Sequence, residues 1–128
     1  METAESRKGK RVGAELEERT LAFAVHVVAL VGTIPRLDSA TVIGRQLLRS
    51  GTSIGANYRE ANRAESSSDF AHKVAIAVKE AAETEYWLLL CARTNLGSSG
   101  QLTKLTGEAN QLIAILSTIL RRSRTASR

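Results

Sequence analysis

The sequence contains one proline, one cysteine and five aromatic residues in 128 positions. Pro35 is the only proline, so long helices can form on both sides of it. One cysteine excludes an intrachain disulfide and makes a reducing cytoplasm the expected location. No apolar run reaches the roughly 18–20 residues that a membrane-spanning helix needs. Charged residues throughout the first twenty positions give no sign of a signal peptide.

The net charge of +5 is concentrated at the two ends of the chain. Residues 1–11 contribute +2 and residues 121–128 contribute +4, which leaves −1 for the 109 residues between them. The middle of the chain is therefore nearly neutral. We predict basic, flexible tails over residues 1–13 and 121–128, and such tails can attract a polyanion without a shaped site.

The apolar residues recur with the period of a helix and predict four helices. The first covers about Ala14–Thr33, the second runs from Asp38 or Ser39 to about Glu65, the third runs from a serine at 66–68 to about Ala92, and the fourth covers about Leu102–Arg122. Asp38 or Ser39 is expected to cap the second helix, and one of the three serines the third. Short connections make sequential helices antiparallel neighbours, so residues 14–120 are predicted to form an all-α, up-down-up-down four-helix bundle.

The segment from Gly44 to Ser66 has the most unusual composition, with three glycines and four arginines on one predicted helix. At about 100° per residue, the four arginines share one narrow side, which we call the arginine stripe. Its members are Arg45, Arg49, Arg59 and Arg63. The apolar residues of the same segment fall on the opposite side and predict its buried face, and they include Leu47, Ile54, Tyr58 and Ala61.

Three glycines, Gly44, Gly51 and Gly55, flank the apolar side of this predicted helix. Each glycine inside a helix costs about 0.5–1 kcal/mol relative to alanine. We therefore expect these three positions to serve close packing against another helix or another subunit. Gly97 is expected to lie in a loop, where a side chain has room unless the backbone needs a positive φ.

Two strings in this region resemble a known family: QLLRSGTSIGANYREANRAES at 46–66 and DFAHKVAIAVKEAAETEYWLLL at 69–90. They are similar to the four-helix bundle proteins named for the 23S ribosomal RNA intervening sequence. The resemblance covers about residues 14–120. It implies an antiparallel four-helix bundle that assembles into a ring-like homopentamer. A related branch is the accessory protein of diversity-generating retroelements, which binds a reverse transcriptase and nucleic acid.

The arginine stripe has two interpretations. In the first, its guanidinium groups contact nucleic-acid phosphates, and each neutralised phosphate releases counterions. In the second, the arginines pair with carboxylates on a neighbouring helix or subunit, for which Asp69, Glu80, Glu83 and Glu85 are available.

Several polar and aromatic residues near the stripe are candidates for packing contacts. Asn57 and Tyr58, with Glu60 and Asn62, are expected to form hydrogen bonds between helices or subunits, because buried polar groups need partners. Tyr86 and Trp87 can stack on bases, but at the end of a helix they more often anchor a core or an interface.

Metal and catalytic chemistry find little support in the sequence. A di-iron bundle needs Glu-x-x-His on two helices, and this chain offers only Asp69-x-x-His72 and an isolated His26. Cys91 lies among leucines without a histidine partner and is predicted to be a buried structural thiol. We therefore predict no metal, no cofactor and no enzymatic activity.

Two functions remain from the sequence. The first is a cytoplasmic, non-enzymatic, oligomeric scaffold that binds nucleic acid, either structured RNA or RNA and DNA, through basic surfaces. Its expected partners are other copies of itself, RNA or DNA, and a nucleic-acid-processing protein, with no role for a membrane. The alternative is a protein–protein adaptor whose arginines are structural and which has no nucleic-acid role.

Overall fold

The computed structural model describes residues 3–126 and contains four helices. They are α1 (Ala4–Val31), α2 (Asp38–Ala61), α3 (Ser67–Arg93) and α4 (Ser99–Ala126). Residues 3–126 contain no strand, so the all-helical prediction is confirmed. None of these helices is long and apolar enough to cross a membrane.

The two outer helices reach further than the sequence pattern predicted. α1 begins at Ala4 instead of Ala14, and α4 ends at Ala126 instead of Arg122. The predicted bounds are wrong there because apolar periodicity fades toward the ends while lysine, arginine, glutamate and alanine remain good helix formers. The division into tails and bundle stays a prediction, and residues 1–2 and 127–128 lie outside the described residues.

The helices pack in a bundle-like arrangement in which each contacts its neighbours in the chain. α1 also touches α4, although this is the smallest of the helix–helix interfaces, and α1 and α3 do not touch. Arg19 of α1 joins α4 through hydrogen bonds of 2.8 and 2.7 Å to the two carboxylate oxygens of Glu108 and one of 2.6 Å to Gln111 Oε1. These polar contacts of Arg19 therefore help to join the first helix to the last.

The apolar face predicted for α2 is buried. Leu47 and Ile54 have no exposed surface, and Tyr58 and Ala61 are almost fully covered. Each of the other helices contributes its own row of buried residues to the same core. Because a fully buried leucine-sized side chain stabilises a fold by about 1.5–3 kcal/mol, these rows dominate the stability of the bundle.

The three glycines of α2 face α1. An added Cβ at Gly51 would lie 2.9 Å from both methyl carbons of Val27, and one at Gly55 would lie 2.9 Å from Thr20 Oγ1. At Gly44 the nearest atom, from Val31, would be at 3.6 Å, which is ordinary contact. The predicted close approach is confirmed at Gly51 and Gly55, and its partner is α1.

Of the two predicted helix caps, one is confirmed and one is wrong. Ser66 caps α3 as expected, since its side chain accepts a hydrogen bond of 3.0 Å from the Asp69 amide. Leu37 precedes α2 and makes no side-chain cap, so the prediction of a cap at Asp38 or Ser39 is wrong. The Leu37 amide bonds the Pro35 carbonyl at 3.0 Å, and this tight turn starts the helix early, at Asp38.

Gly97 lies in the connection between α3 and α4 with a φ of +85°. A Cβ there would also lie 2.7 Å from Leu30 Cδ1. The stated exception, a positive φ, therefore applies at this position, and Leu30 in addition occupies the space that was expected to be free. The left-handed backbone and the packing of Leu30 both require glycine.

Candidate nucleic-acid interface

All four members of the arginine stripe are exposed. Arg45, Arg49 and Arg59 lie on α2, whereas Arg63 lies two residues beyond its last residue, Ala61, because the helix ends before the predicted Glu65. The exposed fractions of the side chains are 48% for Arg49, 54% for Arg59 and 63% for Arg63. From Arg45 to Arg59 the stripe extends about 21 Å along the helix, at 1.5 Å per residue. It therefore lies along an outer surface of the bundle, and its two halves have different neighbours.

Arg49 is surrounded by carboxylates of α3. It pairs with Glu80 at 3.3 Å and also with Glu83. The hydrogen bond with Glu83 raises the pKa of Arg49 and lowers the pKa of Glu83. Glu83 also accepts a hydrogen bond of 3.3 Å from Trp87 Nε1. Two carboxylates face one guanidinium in this group of ion pairs, and the nearby charge of Lys79 also lowers the pKa of Glu83.

Arg59 and Arg63 have the opposite balance. Both pair with Glu17 of α1, at 3.2 and 3.5 Å respectively. Asn62 also donates a hydrogen bond of 2.9 Å to the second oxygen of this carboxylate. Two guanidinium groups share one carboxylate, so this part of the stripe carries a local charge of +1.

Arg45 has no ion pair with any residue in the described range 3–126. It borders a shallow groove of about 460 Å³ together with Arg36, Pro35, Ile34 and Gly44. The groove is lined mainly by apolar surface and lies at the connection between α1 and α2. Arg45 is therefore unpaired within the described range, with Arg36 in the same groove and Arg49 one helical turn away.

The half of the stripe at Arg59 and Arg63 lies at the end of the bundle where the charged ends of α1 and α4 also lie. A groove there is lined by residues of all four helices: Gly9, Val12, Gly13, Tyr58, Asn62, Phe70 and Ile119. α4 continues from Ile119 through about two exposed or half-exposed turns that carry Arg121, Arg122 and Arg124. We call this region the basic end, defined by Arg7, Arg11, Arg59, Arg63, Arg121, Arg122 and Arg124.

The residues predicted to make packing contacts differ in what they contact within the chain. Tyr58 is buried beside Asn62, and burial raises the pKa of its hydroxyl. Asn57 donates to the carbonyl of Ser53 in its own helix at 2.8 Å, so the prediction that it bonds another helix is wrong for contacts inside the chain. Trp87 is half-buried and meets Tyr86 edge to face, with ring centroids 5.0 Å apart.

Two of the predicted carboxylate partners of the stripe are correct, and one partner was missed. Glu80 and Glu83 bind Arg49, whereas neither Asp69 nor Glu85 forms an ion pair with the stripe in the described part of the chain. Glu17 was not predicted. Its position follows from Gly55 facing Thr20. One turn back along α1 from Thr20 is Glu17, and one turn forward along α2 from Gly55 is Arg59, so these two side chains meet.

The described residues offer no group of three or more histidine, cysteine, aspartate or glutamate side chains placed to hold a metal ion. Cys91 is a buried free thiol, and burial raises its pKa.

Together, these features define an all-helical, bundle-like protein whose candidate contacts lie on its outer surface. The family model of the 23S rRNA-intervening sequence protein matches residues 14–118. The chain belongs to this family. It is also similar to a crystal structure of a protein of unknown function from the S23 ribosomal protein family of Bacteroides thetaiotaomicron, with 39% identity and a TM-score of 0.78. That match covers 85% of this chain and 97% of the other. No curated protein sequence matches the chain.

Proposed function

We propose that the protein is a non-enzymatic, homo-oligomeric scaffold that binds nucleic acid at the basic end of its bundle. Structured RNA is the expected class of ligand, and the cytoplasm is the expected compartment. The observation that carries this proposal is the charge balance along α2. Arg59 and Arg63 share a single carboxylate, whereas Arg49 is held by two.

The direction of the helices supports the basic end as one surface. Thr20, Val27 and Val31 of α1 lie against Gly55, Gly51 and Gly44 of α2, in reverse order along the chain. We infer from this order, and from the short connections, that the helices alternate in direction. In such a bundle the start of α1 and the end of α4 lie at the same end, so their positive charges add to those of Arg59 and Arg63.

Phosphate contacts at this end are expected to be tolerant of sequence and sensitive to salt. Loss of one phosphate contact lowers the steepness of the plot of log K against log salt by about 0.7–0.9. Repetition of the basic end in an oligomer multiplies the local field. A ring of five copies is the form that the family resemblance implies, and we propose it for this chain.

The test compares two pairs of substitutions, one within α2 and one at its end. Arg59→Gln with Arg63→Gln, in the full chain, is expected to weaken binding to a structured RNA and to lower the salt slope by about 1.4–1.8 per copy. Arg45→Gln with Arg49→Gln is the matched control and is expected to leave both quantities nearly unchanged. Fluorescence anisotropy at several salt concentrations measures them, and light scattering confirms that the oligomer is intact.

Equal effects of the two pairs would contradict the assignment to the basic end. Undetectable binding of RNA and DNA by the wild-type chain at low salt would contradict the nucleic-acid function itself.

A second candidate function has its own supporting observation. Three of the four stripe arginines already pair with carboxylates within the chain. If those pairs are the purpose of the stripe, the protein is an adaptor for other proteins. In that case, the glutamine substitutions lower the melting temperature without changing the affinity for nucleic acid.

A further inference from the structure

The outer side of α1 carries more exposed apolar surface than a helix facing water normally does. From Thr20 to Val31 there is no aspartate, glutamate, lysine or arginine. Phe23, Val27 and Leu30 are buried on the inner side, while Leu21, Val25 and Val28 remain 47%, 58% and 53% exposed. We define the α1 outer face as Glu18, Leu21, Val25 and Val28, all of which are exposed.

α3 has a second exposed apolar row. Tyr86 is 57% exposed and Leu89 is 47% exposed. We define the α3 outer face as Lys79, Ala82, Tyr86, Leu89 and Arg93, all of which are exposed. Tyrosine and tryptophan are enriched where proteins bind one another, and Trp87 supports Tyr86 from the side.

The two faces cannot meet within one molecule. α1 and α3 do not touch, and each packs against α2 and α4, so they occupy opposite corners of the bundle. Their outer faces therefore point in opposite directions. An interface between one α1 outer face and one α3 outer face must join two different molecules head to tail.

The spacing of the two faces is matched. Residues alternate by three and four positions on both, at 18, 21, 25 and 28 on α1 and at 79, 82, 86, 89 and 93 on α3. This is the spacing with which two helices interlock along a seam. Val25 and Tyr86 are the central large residues of the two rows.

The charges at the ends of the faces are complementary. Glu18 lies seven residues, or about 10.5 Å, from Val25. Lys79 and Arg93 lie seven residues to either side of Tyr86. If Val25 meets Tyr86, Glu18 therefore meets a cation whichever way the two helices run. Two α3 outer faces against each other would instead bring cations together, which disfavours the pairing of two α3 outer faces.

We propose that the α1 outer face of one copy binds the α3 outer face of the next copy. The inference rests on the homo-oligomeric part of the proposed function and names the surfaces responsible for it. Because every copy carries both faces, an open chain of copies always has one unoccupied face at each of its two ends. Such an assembly closes into a ring where the rotation between successive copies allows it, and otherwise extends as a filament.

The experiment blocks one face at a time in the full chain. Val25→Glu disables the α1 outer face and Tyr86→Glu disables the α3 outer face. Each variant alone is expected to be a monomer of 13.8 kDa by light scattering at micromolar concentration. An equimolar mixture is expected to give a dimer of one copy of each and nothing larger, because only one intact pair of faces remains.

Val42→Glu on α2 is the matched control, since Val42 is as exposed as Val25, at 58%, and lies outside both faces. It is expected to keep the wild-type mass. Circular dichroism melts of all variants establish that each remains folded.

Every other result overturns the proposal in an identifiable way. If only one of the two variants is monomeric, or if their mixture gives no dimer, the interface is not head to tail. If both variants keep the wild-type mass, other surfaces hold the oligomer together and the scaffold proposal still stands. If the wild-type chain is itself a monomer, homo-oligomerisation fails and the faces belong to a partner of another sequence.

Discussion

α2 has two neighbours and meets them in different ways. Toward α1 it presents Gly51 and Gly55, and the helices approach until there is no space for a side chain. Toward α3 it presents Ser50, whose hydroxyl accepts a buried hydrogen bond of 3.0 Å from Thr84, and Arg49, which pairs with Glu80 and Glu83. The first interface is specified by shape, and the second is specified by polar partners.

This difference indicates which substitutions each of the two interfaces of α2 would tolerate. An extra carbon in the α1–α2 interface meets fixed backbone and buried side chains, which cannot move far. A lost polar group in the α2–α3 interface leaves one partner unsatisfied but creates no steric overlap. The two sides should therefore differ in which substitutions they resist and by how much.

The largest effect is expected for Gly51→Leu. The new Cβ would lie 2.9 Å from both methyl carbons of the fully buried Val27. Overpacking of this kind costs about 3 kcal/mol at the upper end of its usual range. Gly107→Leu is the control, because no atom lies within 4 Å of a Cβ there. Urea denaturation should show a lower free energy of unfolding for the first variant only, and equal stability of both would contradict close packing of α1 on α2.

An intermediate effect is expected for Thr84→Val on the other side of α2. The substitution preserves shape but removes the hydroxyl that bonds Ser50 Oγ and the Glu80 carbonyl. We expect a loss of about 1–2 kcal/mol in the free energy of unfolding. The double variant with Ser50→Ala should lose less than the sum of the single variants, because the two hydroxyls share one hydrogen bond. If the losses of the two single variants simply add in the double variant, the hydrogen bond between the two hydroxyls contributes no coupling energy to folding.

The smallest effect concerns pH. The hydrogen bond from Arg49 lowers the pKa of Glu83 below its ordinary value of 4.5. The pair therefore contributes stability above that value, and the contribution is lost as the pH falls through the lowered pKa. Because the side chains are 48% and 33% exposed, we expect no more than about 0.5 kcal/mol.

The corresponding variant is Glu83→Gln, measured by thermal melts between about pH 3 and 7. Its stability should depend less on pH than that of the wild type below about pH 5. Arg49→Gln should remove the same component. An unchanged pH dependence in both variants would mean that the pair contributes nothing to folding.

Helix number and the buried face of α2 could be predicted because both depend on periodicity within a short window. Leu47 and Ile54 are both buried because they are seven residues, or about two helical turns, apart and so lie on the same side of α2. The same reasoning placed the arginines outside. The glycines indicated a close contact, since their cost in a helix must be offset by packing.

The partners across helices could not be predicted in the same way. Glu17 lies more than forty residues from Arg59, and their meeting depends on the register of α1 against α2. Gly97 is similar, because Leu30 on a different helix occupies the space that a loop position was expected to leave free. The start of α1 escaped prediction for another reason: charged residues can extend a helix without any apolar signal.

The half-buried Trp87 is the single tryptophan of the chain, and it lies next to Tyr86 on α3 and bonds Glu83. All indole fluorescence of the protein therefore originates beside one proposed assembly face. A change in emission wavelength on mixing the Val25→Glu and Tyr86→Glu variants would follow the joining of two copies in real time. The molecule thus carries its own optical probe at a defined place, and assembly kinetics can be recorded without attaching a dye.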